Sequence, residues 1–426
     1  MKKVIKGGIV ITMDPSKEKY EKLDIVIDDD KITEVTENYE GEYDTLIDAT
    51  DKVVMPGLIN AHTHLGMSYF KATNDNLTLQ DWLNNKIWPI EDKMTDEDTY
   101  YSTALALIEM IKTGTTCSND MYFNCEGTIK ALKELKTRCL FTRCLAGKGG
   151  EGDGRIDEFR DLYNKYKDEE LIEFCVAPHA LYTCDLEYLK KCSALATEMN
   201  MPVHIHYCEN RSEIEDVKKE YGISPLEVLR QSNLINNKLI LAHTTFIDDE
   251  TLEEFKNRDV SFVHNPISNL NLGCGIADMT KYRNYVNIAL GTDGVGSGNN
   301  LNMFYHISVV DLLQKGKYEN PTVFSSYETL KMATINGAKA LGMQDKIGSI
   351  EVGKKADIIM LDLDDIMTKP SPDLITNICH NALNNVTMTM VNGEVLMQDK
   401  RLLLDVDEKD LIAKAEGRIE ELLKAE

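Results

Sequence analysis

The chain has 426 residues, 42% of them apolar, and a formal net charge of −24 at pH 7. This acidic balance argues against a nucleic-acid ligand, because proteins that bind the phosphate backbone need basic patches. The sequence shows no apolar run near the roughly 20 residues of a membrane span, and no apolar core of a secretory signal near its start. The ten cysteines form no Cys-x-x-Cys pair. We therefore expect reduced thiols in a cytoplasmic protein with no membrane partner.

Both ends of the chain have the texture of a small β-sheet. The first 52 residues contain short apolar segments separated by Gly and Asp turns, and a similar pattern returns after residue 345. Asn392-Gly393 between two apolar runs predicts a tight hairpin. We predict that residues 1–55 and 346–426 pair as one small, discontinuous β-rich domain.

The middle of the chain, residues 56–345, alternates apolar runs with amphipathic segments, one of which starts with a potential capping box of Thr95 and Asp98. Such alternation predicts a parallel α/β sheet, and eight strands are the number that closes a (β/α)8 barrel of the TIM type. An open doubly wound sheet is the alternative, although no Gly-x-Gly-x-x-Gly follows the first strand. The predicted strands are 53–61, 115–121, 138–145, 171–179, 202–208, 239–246, 260–266 and 286–293.

Histidines are concentrated at the ends of these predicted strands, where the chemistry of a barrel lies. His62 and His64 follow the first strand, and alternation along a strand would direct both to one side. Together with the later strand ends they predict a metal site, because three histidines and one carboxylate suit a Zn²⁺-like ion and can leave a position for water. Bound water on such an ion ionises near neutral pH. The other strand-end candidates are His179, His204 or His206, His243 and Asp293.

The residue pattern alone leaves the roles of two sites undecided. His204 and His206 lie on the same face of the fifth strand, so the spacing does not decide which of them binds metal. Glu209 lies three residues beyond His206, where it could shuttle protons, although a surface acid is the plainer alternative.

The motifs PGLINAHTHL, HIHYCE, LAHTTF and LGTDG, followed by ATINGAKALGMQDKIGSIEVGKKADIIMLD, together resemble the amidohydrolase superfamily over nearly the whole chain. This resemblance implies a (β/α)8 barrel with a β-sandwich-like domain built from both chain ends. It implies one divalent ion per subunit, with Zn²⁺ favoured and Fe²⁺ or Mn²⁺ as alternatives. It makes Glu209 the proton shuttle and His243 the residue that orients the hydroxide. The implied metal ligands are His62, His64, His206 and Asp293.

Finer motifs, LQDWL, IWPIED, FTRCLAG, APHALYTC and GTDGVGSGNNLNMF, are similar to those of the 5′-methylthioadenosine/S-adenosylhomocysteine deaminase group. The similarity implies hydrolytic deamination of an adenosine derivative at C6, with 5′-deoxyadenosine and adenosine as further candidate substrates. The implied contacts are Glu91 with the ribose, His179 with the adenine, Trp82 with the nucleoside, Ser297 in the base pocket, and Arg143 and Arg155 with the homocysteine carboxylate.

Plainer interpretations exist for three of these residues. Trp82 could be ordinary core, Arg155 a solvated loop residue, and Glu91 an acid at a helix start. At the level of function, the alternatives are a guanine, 8-oxopurine or triazine aminohydrolase or chlorohydrolase of the same branch, and a catalytically inactive scaffold. We also expect a homo-oligomer, either a dimer or a tetramer.

Overall fold

A closed barrel of parallel strands occupies the middle of the chain, as predicted. The computed structural model describes residues 1–74 and 76–424; Asp75 and residues 425–426, the end of the predicted small domain, lie outside the described part. The strands β1–β18 are, in chain order, Lys2–Val10, Glu21–Asp28, Lys31–Thr36, Thr45–Asp48, Lys52–Pro56, Leu58–Thr63, Thr115–Tyr122, Arg138–Leu145, Ile172–Phe174, Ala177–Pro178, Val203–Tyr207, Leu239–His243, Val260–His264, Asn287–Leu290, Ile358–Asp362, Val386–Val391, Glu394–Gln398 and Arg401–Leu402.

The barrel is assembled from two parallel sheets that meet edge to edge. One sheet has the order β10-β8-β7-β6 with β9 beside β8, and the other has the order β11-β12-β13-β14. Parallel bridges from Val176 to Val203 and from Ala180 to His206 join them at one seam. At the other seam, the N–H groups of Thr292 and Asp293 donate to the His62 carbonyl at 3.2 and 3.0 Å. These bonds close the ring between the last strand and the first.

The predicted fourth strand, 171–179, is divided into β9 and β10, and several other barrel strands end earlier than predicted. Helices cover the outside of the barrel, and no helix within the described residues is both long and apolar enough to cross a membrane. The α-helices α1–α17 are Leu79–Trp82, Trp88–Glu91, Asp96–Lys112, Cys125–Leu135, Asp153–Tyr166, Leu186–Met199, Arg211–Tyr221, Pro225–Gln231, Asp249–Phe255, Pro266–Asn271, Met279–Tyr282, Val295–Gly298, Met303–Tyr318, Ser326–Met332, Ile335–Leu341, Leu374–Asn381 and Glu408–Lys424.

The two chain ends share one nine-stranded sheet, with the order β18-β17-β16-β15-β5-β1-β2-β3 and with β4 beside β1. The sheet folds back on itself, since Ile32 donates its N–H to Lys354 and Ala356 donates to Asp30. It encloses an apolar core that includes Ile25 from the first end. We keep the boundaries 1–55, 56–345 and 346–426 as a proposal for the domains.

The predicted strand 53–61 proves to be two strands in two different sheets. β5 pairs with β1 and β15 of the terminal sheet, whereas β6 pairs with β7 of the barrel. The switch occurs at Gly57, where an added Cβ would lie 2.1 Å from the Thr116 hydroxyl oxygen. Only glycine leaves room for the Thr116 side chain against this backbone.

Two local predictions are confirmed. Thr95 and Asp98 form a reciprocal capping box at the start of α3. Asn392 and Gly393, both with positive φ, form the two-residue turn between β16 and β17. That combination of φ angles is the reason for the strong preference of such hairpins for Asn-Gly.

A buried ion pair ties the barrel to the terminal sheet. Arg138, the first residue of β8, donates from Nε and Nη2 to both carboxylate oxygens of Asp357 at 2.8 and 3.0 Å. Both side chains are only 2% exposed, and Asp357 also accepts the backbone N–H of Asn392.

We expect Arg138→Met to lower the free energy of unfolding by about 3–5 kcal/mol, because it leaves the Asp357 carboxylate buried without its cation. Urea unfolding followed by circular dichroism measures the change. The control is Arg160→Met, which breaks the exposed Arg160–Glu198 pair and should cost less than about 1 kcal/mol. Equal losses in the two variants would contradict the assignment.

Candidate active site and metal centre

The polar side chains predicted at the strand ends converge at the carboxyl-terminal end of the barrel. His62 lies within β6 and His64 just after it, while His206 lies within β11. His243 ends β12, and Asp293 follows β14 by three residues. The parallel strands bring together residues that are more than 200 positions apart in the sequence.

Four of these side chains form a compact group of potential metal ligands. One ligand atom from each lies within 4.8 Å of the other three. His64 Nε2 lies 3.2 Å from both His206 Nε2 and Asp293 Oδ1, and His62 Nε2 lies 3.4 Å from Asp293 Oδ1. The group consists of His62, His64, His206 and Asp293.

Hydrogen bonds outside the group orient the ligand atoms toward its centre. The backbone carbonyls of Met121 and His179 can only accept, so Nδ1 of His64 and of His206 must donate to them, at 2.6 and 2.7 Å. The lone pair of each ring is therefore on Nε2, facing the centre. His62 Nε2 is buried and has no hydrogen-bond partner among the described residues. This donor set fits a divalent metal ion.

Three hydrogen bonds from neighbouring residues fix the Asp293 carboxylate. The hydroxyls of Ser268 and Ser297 donate to its Oδ2 at 2.7 and 2.8 Å, and the Gly294 N–H donates to Oδ1 at 2.8 Å. Ser297 is predicted to line the base pocket, which stays a prediction; its buried hydroxyl bonds to Asp293. Ser297 thus supports the metal group.

Burial and the charges within the group act together on its protonation states. Burial lowers the pKa of His62 to about 4 and that of His206 well below its usual range, so both rings are neutral at pH 7. Burial alone would raise the pKa of Asp293, but the rings of His62 and His64, whose Nε2 atoms lie 3.4 and 3.2 Å from its Oδ1, hold it well below its ordinary value. For His64, burial is outweighed by the neighbouring Asp293 carboxylate, which raises its pKa to about 9, so a metal ion would have to displace a proton from this ring. Neutral imidazoles and an ionised carboxylate are the forms that bind metal.

The open question between His204 and His206 has a geometric answer. His204 Nε2 lies 2.9 Å from His62 Nδ1, on the far side of the His62 ring from the group. His204 is therefore placed to orient His62, whereas His206 supplies an atom to the group itself.

Glu209 lies beside the group on the turn that follows β11. Its side chain is 4% exposed, and its Oε1 lies 3.8 Å from His243 Nδ1 and 3.7 Å from the Cys274 thiol. Burial raises the pKa of Glu209. A carboxylate with a raised pKa is suited to accept and return a proton near neutral pH.

His243 has a fixed orientation. Its Nδ1 donates to Asn269 Oδ1 at 2.8 Å, and Asn269 in turn donates to the Thr245 hydroxyl. His243 Nε2 is buried and lacks a partner among the described residues. The sequence offered no signal for Asn269, which lies on α10 and approaches His243 only in the fold.

Left-handed backbone is concentrated at these strand ends. Cys208, His243, Thr244 and Asp293 have φ of +52°, +71°, +46° and +61°. Residues other than glycine rarely adopt this conformation, which costs about 1–3 kcal/mol each and is found where the surroundings enforce it, often at active sites. These residues also end the strands earlier than their apolar pattern predicts.

A cavity adjoins the metal group, and three of the predicted substrate residues line it: Trp82, Glu91 and His179. The Trp82 indole N–H donates to the Thr73 hydroxyl at 3.1 Å, and a π-helix over Leu83–Ile87 connects Trp82 to α2. Glu91 accepts a hydrogen bond from the Tyr122 hydroxyl at 2.7 Å, and burial raises its pKa to about 7. Sequence reasoning missed Tyr122, although it directly follows the predicted strand 115–121, and it missed Tyr182 and Cys144, which also line the cavity.

The two predicted arginines lie behind the wall of this cavity. Arg143 donates from Nε to Glu158 at 2.8 Å and from Nη1 to the Cys144 carbonyl at 2.6 Å. Arg155 is exposed and donates from Nη1 to the Ala146 carbonyl. Neither is among the residues that line the cavity, although Cys144 between them is.

Comparison with known proteins gives consistent matches. The model of the Amidohydrolase family matches residues 53–396. A 5-methylthioadenosine/S-adenosylhomocysteine deaminase from Thermoanaerobacter pseudethanolicus is 38% identical, with both chains covered completely. A 5′-deoxyadenosine deaminase from Methanosarcina acetivorans is 38% identical over 99% of this chain and 98% of its own. The crystal structure of an adenosine deaminase from Xanthomonas campestris with bound zinc has a TM-score of 0.95 and 31% identity, covering 99% of each chain. These matches confirm the resemblance drawn from the motifs.

We expect the purified protein to contain about one divalent ion per chain, and we expect His206→Asn to abolish this content. His204→Asn protein should still bind about one ion per chain when metal is in excess. Its affinity for the metal should fall by about 10–100-fold, as when the hydrogen-bond partner of a ligand is removed in other metal sites. Elemental analysis and metal titration of both variants measure these effects. The reverse pattern would show that the two histidines have been assigned the wrong way round.

Proposed function

The chain belongs to the amidohydrolase family, and from that premise we propose that it hydrolyses the C6–N bond of adenosine derivatives, leaving a 6-oxo purine and releasing ammonia. The candidate substrates are S-adenosylhomocysteine, 5′-methylthioadenosine, 5′-deoxyadenosine and adenosine. One observation carries the proposal: the cavity that contains Glu91 and His179 opens directly onto Glu209 and the group of four ligands.

We assign the metal to His62, His64, His206 and Asp293, and we propose one Zn²⁺ per subunit, with Fe²⁺ or Mn²⁺ as alternatives for the same ligands. When bound, such an ion supplies a Lewis acid that makes water a nucleophile at neutral pH.

Glu209 carries the proton transfers in this proposal. Its carboxylate accepts a proton from the attacking water and delivers it to N1 of the purine as oxygen adds to C6. A second proton from the added oxygen leaves with the amino group, so that ammonia departs and the 6-oxo product remains. His243, held by Asn269, orients the attacking oxygen through Nε2, and Asp293 steadies it from the opposite side.

Three side chains are assigned to the nucleoside. Glu91 accepts hydrogen bonds from the ribose hydroxyls, and Tyr122 keeps its carboxylate in place. His179 contacts the adenine ring, and Trp82 packs against the nucleoside; both line the cavity. A free base would not need Glu91, and this separates a nucleoside deaminase from a guanine or triazine enzyme.

Arg143 and Arg155 are assigned to a carboxylate on the 5′ substituent. Nη2 of Arg143 makes no hydrogen bond to any residue within the described chain, so this nitrogen remains available beside Cys144. A guanidinium suits the task because it can bind a carboxylate through two N–H groups.

We further propose that the protein works in the cytoplasm as a homo-oligomer, a dimer or a tetramer. The ten cysteines are buried and unpaired, which suits a reducing compartment.

The test is a panel of the four candidate nucleosides with free adenine and guanine, using metal-replete protein. Ammonia release and loss of adenine absorbance measure turnover. We expect the nucleosides to react and the free bases to remain. Turnover of guanine without turnover of any nucleoside would contradict the proposal and favour an aminohydrolase for free bases.

We expect Arg143→Ala and Arg155→Ala each to lower kcat/KM for S-adenosylhomocysteine by about 10–100-fold, because each removes a charged hydrogen bond to the carboxylate. The values for 5′-methylthioadenosine, which has no carboxylate, should change less than about threefold. Arg160→Ala, on the same helix as Arg155, is the control. Equal losses on both substrates would mean that the arginines are structural.

A further inference from the structure

The turn that presents Glu209 is held by a buried carboxylate that the proposed chemistry does not use. Glu213, in the first turn of α7, directs its side chain back along the chain. Its Oε1 accepts the N–H of Cys208 at 3.1 Å, and its Oε2 accepts the N–H of Glu209 at 2.7 Å. Glu213 is 4% exposed.

Helix capping does not account for this arrangement. The Asn210 side chain already caps α7 by accepting the N–H of Glu213 at 2.8 Å. In a capping box, the glutamate at this position would return to the N–H of the cap residue itself. Here the carboxylate reaches past Asn210 to the two preceding residues, which lie outside the helix.

The turn needs this support because its backbone is strained. Cys208 has φ of +52°, and its carbonyl accepts the N–H of Thr245 at 3.0 Å. The N–H groups of Cys208 and Glu209 have the Glu213 carboxylate as their acceptor. A buried N–H without an acceptor costs about 1–3 kcal/mol, so without Glu213 the turn would shift until water reached these groups. Such a shift would carry the Glu209 carboxylate away from His243.

We propose that Glu213 is the positioning residue of Glu209: it fixes the turn so that the Glu209 carboxylate faces the substrate and His243. This inference rests on the proposed function, in which Glu209 transfers the protons.

The first test is Glu213→Gln, assayed with 5′-methylthioadenosine. Glutamine offers one acceptor and places an amide N–H₂ against the other backbone N–H. We expect kcat to fall about 10–100-fold, as for a catalytic group displaced by about 1 Å. KM should stay within about threefold, and the metal content should stay complete, because the residues assigned to the ribose and the adenine and the metal ligands are not changed.

The matched control is Glu328→Gln. Glu328 occupies the same position of α14 and forms an ordinary capping box with Ser325, away from the site. We expect kcat and KM of this variant to be unchanged. A parallel loss in both variants would mean that the effect is one of helix capping.

A double-mutant cycle asks whether Glu213 acts through Glu209. If it does, adding Glu213→Gln to Glu209→Gln should lower kcat by less than about threefold, because the group that it positions is already disabled. An undiminished loss in that background would overturn the inference. If Glu213→Gln does not fold, Glu213→Asp, which keeps the charge but reaches only one amide, replaces it in the same cycle.

These outcomes are separate from the test of the proposed function. Wild-type protein that deaminates no nucleoside defeats the proposed function. Wild-type protein that deaminates 5′-methylthioadenosine, with a Glu213→Gln variant of unchanged kcat, defeats only the role of Glu213.

Discussion

The backbone of His62 is the point on which the site depends. Its carbonyl accepts the N–H groups of both Thr292 and Asp293, and these bonds join the last barrel strand to the first. The same residue places its imidazole in the group of metal ligands. Closure of the barrel and assembly of the ligand group are therefore one event: the bond that closes the ring also brings Asp293 within 3.4 Å of His62.

Around this seam, opposite electrostatic requirements are met within a few ångströms. In the proposed mechanism the ligand histidines must be neutral, Asp293 must be ionised, and Glu209 must exchange a proton. Burial lowers the pKa of His62 and raises that of Glu209, while the rings of His62 and His64 beside Asp293 keep that carboxylate ionised. Burial with different neighbours thus allows two carboxylates of one site, Asp293 and Glu209, to take different roles.

Much of this architecture could be predicted from the sequence. Alternation along the first strand placed His62 and His64 on one side, and the rule that barrel chemistry lies at strand ends led to His243, Asp293 and the undecided pair of His204 and His206. Asn392-Gly393 predicted its hairpin because the turn needs two positive φ angles. Local chemistry decides these features, and local chemistry is visible in a sequence.

Other features depend on contacts that no local pattern shows. The switch at Gly57 is enforced by Thr116, a residue 59 positions away. His204 and His206 share a face, and only the position of the His62 ring separates their roles. Ser297 bonds to Asp293, and Arg143 pairs with Glu158, two contacts that the motifs do not reveal. Each of these depends on tertiary neighbours, as does the support of Glu209 by Glu213.

The measurement that tests the central claim most directly compares wild-type protein with Glu209→Gln, both loaded to equal metal content, by ammonia release from 5′-methylthioadenosine. We predict that the wild type releases ammonia and that the variant is slower by about 10²–10⁴-fold, the usual contribution of a positioned proton-transfer group. Equal rates in the two proteins would contradict the account.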